Sequence, residues 1–206
     1  MMLTWEYPPK RLGNISDHVQ ALSHELVKRG HEVEVLTEDD MKTGVEDISG
    51  VHVHRVSNQV KTHPTASILT FTMTASVSME REAADVIYYY RHVGKEIDFV
   101  HAHEWLTVPM AISLKHAFKL PFILTLHSVE GHRCHDNFGP ISIAISEIER
   151  MGINEAARVI ANTEWMRNEI LRYYGGEHRN KVDVAWPIGG DWVQGIIKVY
   201  KKFLKA

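Results

Sequence analysis

Cysteine is nearly missing from this sequence. Cys134 stands alone among 206 residues, so no disulfide can close within the chain, and a reducing compartment, the cytoplasm, is expected. No apolar run approaches the ~20 residues of a membrane helix, so no membrane span is expected. No signal peptide is visible either, because Met1–Leu3 leads straight into Thr4, Trp5 and Glu6. Basic charge is not in excess: 23 Lys and Arg stand against 26 Asp and Glu, a net charge of −3, which gives no general attraction to nucleic acid. Several catalytic signatures are also missing. There is no Gly-x-x-x-x-Gly-Lys-Ser/Thr phosphate loop, no Gly-x-Gly-x-x-Gly dinucleotide fingerprint, no His-Glu-x-x-His zinc motif and no Gly-x-Ser-x-Gly elbow.

What is present is an ordinary globular composition, 44% hydrophobic and 24% charged, long enough for one large domain or a domain with an appendage. Fourteen histidines is a high count. Strand-like and helix-like segments alternate. Strands are expected at 2–5, 32–37, 51–56, 97–102, 121–126, 158–161 and 182–185. Helices are expected at 17–29, 75–93, 105–118, 141–156, 164–173 and 191–204. Residues 38–50 read as a polar, turn-rich connection and 58–74 as a surface loop. Such alternation implies βαβ units, a mostly parallel sheet and helices on both faces, that is, a Rossmann-like three-layer α/β sandwich. Ligands of such folds bind beyond the carboxyl ends of the strands.

Three segments at those ends carry unusual chemistry. The first is Pro8-Pro9-Lys10-Arg11-Leu12-Gly13-Asn14. Gly13 and Asn14 both tolerate positive φ, so the loop amides and the following helix N-terminus can form an anion site, with Ser16 or Asp17 as the cap; the plain alternative is a strand-to-helix turn. The second is His101-Ala102-His103-Glu104-Trp105. His101 and His103 share one face, but no third metal ligand stands at a diagnostic spacing, so they read as histidines bonded to neighbouring backbone or as a site that donates to a sugar hydroxyl or phosphate. The third is Thr125-Leu126-His127-Ser128-Val129-Glu130-Gly131-His132-Arg133. Arg133 suits a phosphate, a carboxylate or a structural ion pair. Cys134 lies between His132 and His135, which can activate a thiolate, although a plain free cysteine accounts for it equally.

Taken in order, these segments resemble the N-terminal domain of GT-B glycosyltransferases of family 4, in the glycogen-synthase-like group of archaeal and bacterial enzymes. The resemblance rests on Trp5-Glu6-Tyr7-Pro8-Pro9, Gly13-Asn14 with His18, and Arg29-Gly30-His31-Glu32-Val33. It continues through His101 to Thr107, Thr125-x-His127-Ser128-x-Glu130-x-x-Arg133, and Glu149 with Glu155-Ala156-x-x-Val159-Ile160. It covers roughly residues 1–184. It implies one half of a GT-B fold and a retaining transfer of a hexose from a nucleotide-sugar, such as ADP-glucose or UDP-glucose, to a glucan or other sugar acceptor, without a metal or other cofactor. By the same resemblance Lys10, Arg11, Gly13 and Asn14 attend the donor phosphates and His103 is the catalytic histidine. Glu104, His127, Ser128, Glu130 and Arg133 line the acceptor side of the cleft. Two positions depart from the family: Asn14 replaces a second glycine, and Glu104 replaces an aspartate.

The family's second domain, which holds most of the nucleotide, has no counterpart after residue 184. Residues 185–206 read instead as a linker and an amphipathic helix with Trp192, Val193, Ile196, Ile197, Tyr200, Phe203 and Leu204 on one face and Lys198, Lys201, Lys202 and Lys205 elsewhere. Its apolar face is expected to pack back on the domain, as the returning last helix of GT-B enzymes does, with a join near Gly189-Gly190 that is engineered or natural. The chain alone is then expected to be inactive. Rival readings are a carbohydrate-binding module using Trp105 or Phe138, a flavodoxin-like domain, and an interaction domain that dimerises through the exposed cleft face.

Overall fold

The computed structural model describes residues 1–58, 60, 63, 66–185 and 191–204. The join expected near Gly189-Gly190 and the side chain of Lys205 lie outside the described residues.

Eight strands form one sheet: β1 (Met2–Thr4), β2 (Val33–Glu38), β3 (Gly44–Ile48), β4 (Val51–Val56), β5 (Val100–His103), β6 (Phe122–Leu126), β7 (Arg158–Ala161) and β8 (Val182–Val184). Their order is β3-β4-β2-β1-β5-β6-β7-β8. Every neighbouring pair is parallel except β3 with β4, an antiparallel edge. The helices are α1 (Ile15–Lys28), α2 (Ile68–His92), α3 (Val108–Phe118), α4 (Glu130–Arg133), α5 (Pro140–Glu155), α6 (Glu164–Tyr174) and α7 (Trp192–Leu204).

Strand side chains alternate between two cores, as the period of two requires. Met2, Val35, Val53, Ile123 and Ile160 face α1 and α7, where Val19, Leu22, Leu26, Val193, Ile196, Ile197 and Tyr200 meet them. Leu3, Leu36, Ala102, Leu124 and Val159 face the opposite layer of α2, α3, α5 and α6, through Met79, Met110, Ile153 and Ile170. The strands are apolar on both faces because both are covered. On α7 the expected apolar face is buried at Val193, Ile196, Ile197 and Tyr200, Val199 joins it, and Leu204 is exposed.

Three local expectations differ from the structure. Residues 44–48 form β3; they are mostly exposed and polar, so no alternation marked them, and the strand is held by pairing with β4 and by Arg55 Nε donating to Glu46 Oε1 at 2.7 Å. Helix α2 starts at Ile68 rather than at 75, because Ser67 caps it by accepting from the Thr70 amide. Residues 130–133 close into the short helix α4.

The chain leaves β1 toward β2 on one side and returns to β5 on the other. The strand order therefore reverses between β1 and β5, the position at which sheets of this kind open a ligand crevice at their carboxyl ends.

Candidate functional site

Three connections meet at that crevice: the β1–α1 loop, the end of β5 and the β6–α4 turn. Helix α1 contributes His18.

The β1–α1 loop closes on a carboxylate from its own chain. Glu6 Oε2 accepts from the amides of Leu12 and Gly13, the latter at 3.0 Å, and Glu6 Oε1 accepts from the Ser16 amide at 3.3 Å. Helix α1 is thus capped from outside by Glu6. The Ser16 hydroxyl donates instead to the Lys10 carbonyl at 2.9 Å, and Asn14, the residue preceding the helix, makes no side-chain cap. Neither Gly13 nor Asn14 uses positive φ; Asn14 sits at φ −83°. The carboxylate gathers the amides without a left-handed turn. Lys10 is paired with Glu38 and lies over the Trp5 ring at 5.1 Å, while Arg11 holds Asp17 at 2.7 Å on the surface.

At the end of β5, His101 and His103 point to the α1/α7 side. His101 is fully engaged, with Nδ1 against the Tyr200 hydroxyl and Nε2 against Thr125 Oγ1, both at 2.7 Å. Its ring lies 4.1 Å from that of His103. His103 is 0% exposed, yet neither of its ring nitrogens has a hydrogen-bond partner, and Nε2 of His127 is also unpartnered. A neutral imidazole carries one donor and one acceptor. Leaving them unmet in a buried site costs about 1–3 kcal/mol per group, so these atoms are poised for something that is not protein. His18 stands against His103 and His127, with ring centroids 5.9 and 5.1 Å away, and the Trp192 ring of α7 lies 5.2 Å from it. Burial lowers the pKa of His18 to about 3 and that of His127 to about 4, and holds His101 and His103 well below the ordinary value. All four rings are neutral at pH 7.

Glu104 follows at φ 67°, an unusual value for a residue with a side chain. Its buried Oε1 accepts from the amides of His127, at 2.6 Å, and Ser128, at 3.1 Å, and so fixes the β6–α4 turn. Burial pushes this carboxyl up, against the pull of Arg133. Arg133 lies 3.6 Å from Glu104, donates to Glu130 at 2.8 Å and to the Ser128 hydroxyl at 2.6 Å, and pairs with the fully buried Glu149. The long glutamate arm thus reaches across to the neighbouring turn.

The structure brings His103, His127 and Ser128 to one place and links Asn14 to His18, whose amide donates to the Asn14 carbonyl at 3.1 Å, while Gly13 faces Glu6. It gives Glu104, Glu130 and Arg133 internal partners. His18 was read only as part of a family pattern. Its convergence with His103 and His127 depends on three separate elements, and no spacing along the sequence announces it. Among the described residues these three histidines gather one ring nitrogen each within 4.8 Å of one another. Cys134 is half-buried, with its sulfur 3.7 Å from the Gly131 carbonyl.

Comparison with known proteins bears on the family and the fold. Residues 15–187 match the model of Glycosyltransferase Family 4. The chain is 33% identical over 173 residues to an uncharacterized glycosyltransferase of Methanocaldococcus jannaschii, covering 84% of this chain and 42% of that protein. It is 27% identical over 212 residues to a glycogen synthase of Mycobacterium tuberculosis, covering 91% and 49%. The chain spans about half the length of these curated relatives. Among solved structures, a sucrose-phosphate synthase of Thermosynechococcus elongatus matches with a TM-score of 0.70 and 15% identity, over 90% of this chain and 47% of that one.

Proposed function

The chain belongs to glycosyltransferase family 4, its fold is one half of the GT-B architecture, and from that premise we propose that it forms the acceptor-side half of a retaining hexosyltransferase. The donor is a nucleotide-sugar such as ADP-glucose or UDP-glucose, and the acceptor is a glucan. The observation that carries this reading is the pair of buried, unpartnered imidazoles, His103 and His127, in the crevice between β1 and β5.

In this reading the ring nitrogens of His103 bond hydroxyls of the donor sugar near the reacting carbon. The amides of the Leu12–Gly13 loop stabilise the departing diphosphate electrostatically, and this is the dominant catalytic contribution. Lys10 and Arg11 flank the loop, and each must leave its carboxylate partner to meet the diphosphate; the reading asks for no metal. Among the described site residues, Lys10, Arg11 and Arg133 are each paired with a carboxylate. A neutral, hydroxyl-rich acceptor therefore suits the crevice better than a phosphorylated one. His127 and Ser128 line its path, on a turn that Glu104, Glu130 and Arg133 hold.

Residues 1–184 make up this half, and α7 packs on the same layer as α1. The chain alone offers one wall of a cleft, so little turnover is expected from it. The test is a titration with malto-oligosaccharide and, separately, with ADP-glucose, followed by backbone amide shifts. Shifts at His103, His127 and Ser128 with oligosaccharide, and weak response to ADP-glucose, are the expected result. No response to oligosaccharide at those positions removes the glucan.

A further inference from the structure

The ring nearest to His103 is that of His101, 4.1 Å away, against 5.9 Å for His18 and 6.0 Å for His127. His101 and His103 stand two apart on β5, so both rings leave the same face of the strand. Both are buried. Two neutral imidazoles so placed, each with one donor and one acceptor, are natural partners for one another. Here they do not pair. Both ring nitrogens of His101 are taken, Nδ1 by the Tyr200 hydroxyl and Nε2 by Thr125 Oγ1, each at 2.7 Å, and both of His103 are left free.

We infer that Tyr200 is a positioning residue: through its hydroxyl, α7 holds the His101 ring in one orientation and one tautomer, and so keeps the His103 nitrogens free for the sugar. Which ring nitrogen carries the proton is set by the bond that the other one makes. Burial raises the Tyr200 pKa, so the phenol keeps its proton and is a neutral partner at pH 7. The Tyr200 ring is itself fixed, 4.9 Å from that of Phe99, which also packs against Phe203 at 5.7 Å. Without the hydroxyl, Nδ1 of a buried imidazole loses its partner, and a buried nitrogen left unpaired is costly. The nearest replacement that rotation of the ring offers is a nitrogen of His103. That bond takes an atom the sugar needs.

Helix α7 meets the histidines a second time, about two turns earlier, where the Trp192 ring lies 5.2 Å from that of His18. The last helix, remote in sequence from all three crevice segments, therefore braces His18 directly and His103 through His101. The inference rests on the transfer reading for what His103 bonds, and on the geometry alone for how its ring is kept open.

The test uses the full chain with nitrogen-15 in its histidines. Long-range proton–nitrogen spectra of the imidazoles are recorded for the wild type and for Tyr200→Phe, followed by titration with malto-oligosaccharide. Tyr200→Phe keeps the ring on Phe99 and removes only the oxygen. The wild type is expected to show one tautomer at His101. In Tyr200→Phe the ring nitrogens of both His101 and His103 are expected to shift, and oligosaccharide affinity to fall about threefold to tenfold, the worth of one hydrogen bond. Unmoved His103 nitrogens overturn the inference, because loss of packing alone gives that result. Moved nitrogens with the wild-type affinity kept also overturn it, since the sugar then has no use for what Tyr200 protects. If Tyr200→Phe fails to fold by circular dichroism, Thr125→Val releases His101 from its other side, and the same two outcomes decide. A wild type that does not bind the oligosaccharide removes the glucan from the proposed function, and the His103 shifts alone then decide the positioning role.

Discussion

The carboxylate of Glu6 accepts a hydrogen bond from the Gly13 amide at 3.0 Å, so the loop that opens the crevice is closed by an anion belonging to the chain itself. The same carboxylate takes the amides of Leu12 and Ser16. A diphosphate oxygen that uses these amides has to displace Glu6. Glu6→Ala is therefore expected to act in two directions. Stability falls by about 1–3 kcal/mol, because the amides of Leu12, Gly13 and the buried Ser16 lose a charged acceptor. Pyrophosphate binding strengthens, because the competing anion is gone. Urea unfolding reads the first effect and amide shifts at Leu12 and Gly13 read the second. A variant that loses stability and gains no pyrophosphate affinity would show that the loop is only a helix cap.

The buried imidazoles make stability depend on pH. Burial holds His127 at about 4 and, with repulsion from His127, His18 at about 3. In the unfolded chain both take up a proton near pH 6.5. Between pH 6.5 and 4 the unfolded state binds more protons, so stability present above 6.5 is lost as the pH falls through this window. At about 1.4 kcal/mol per pH unit, His127 alone accounts for roughly 3 kcal/mol. Glu34 does not interfere, because hydrogen bonds from His54, Tyr90 and His52 outweigh its burial and hold it at about 2, so its contribution is lost only below about pH 4.5. Urea unfolding free energies at pH 7.0, about 5.5 and about 4.5 should fall steeply for the wild type and less steeply for His127→Gln. Parallel profiles would mean that His127 is solvated in the folded state.

The parallel sheet and its helices were legible because two-sided burial writes continuous apolar strands such as Phe122–Leu126, and because α1 repeats Val19, Leu22 and Leu26 on one face. The edge strand β3 was not, because neither of its faces is covered; its register is set by pairing with β4, which no single segment encodes. At the site, the shared face of His101 and His103 followed from the period of a strand. Their different fates did not: His101 is satisfied by Tyr200, a residue of the last helix, and His103 is left open. Glu6 was visible only as part of a motif, since its role depends on a loop folding back over it. The positive-φ loop expected at Gly13 and Asn14 failed for the same reason, because residue preference gives no account of an anion already in place.

Gly152 brings α5 close to the sheet. A methyl group built there would lie 2.6 Å from a methyl of Val108 and 2.9 Å from one of Leu124. Gly152 lies in the last turn of α5, where alanine is still the better helix residue, by up to about 1 kcal/mol. The two effects oppose each other, and overpacking of a core by one carbon costs about 1–3 kcal/mol. Gly152→Ala is expected to be net destabilising, with α5 displaced from α3. A stability equal to or above that of the wild type, measured by urea unfolding, would show that the two layers have room to part.

Arg133 holds together three carboxylates that have little contact with water. Glu149 is fully buried and also accepts from the Glu130 amide at 3.0 Å and from the Tyr174 hydroxyl; Glu130 and Glu104 are nearly as deep. Burial raises the Glu149 carboxyl against the pull of Arg133, so the guanidinium is what makes its charge tolerable. Removing one partner of a buried ion pair leaves the other uncompensated, at about 3–5 kcal/mol. Arg133→Met is expected to cost that much and to speed amide exchange at His127 and Ser128, which hang on Glu104. Arg133→Lys keeps the charge but not the planar fork, so it should fall between the two. Glu149→Gln removes the buried charge along with the need for its partner, and should cost less than Arg133→Met. If Arg133→Met instead unfolds within about 0.5 kcal/mol of the wild type, the guanidinium is not a structural clamp. It is then free to meet an anionic ligand, and the preference for a neutral acceptor falls with it.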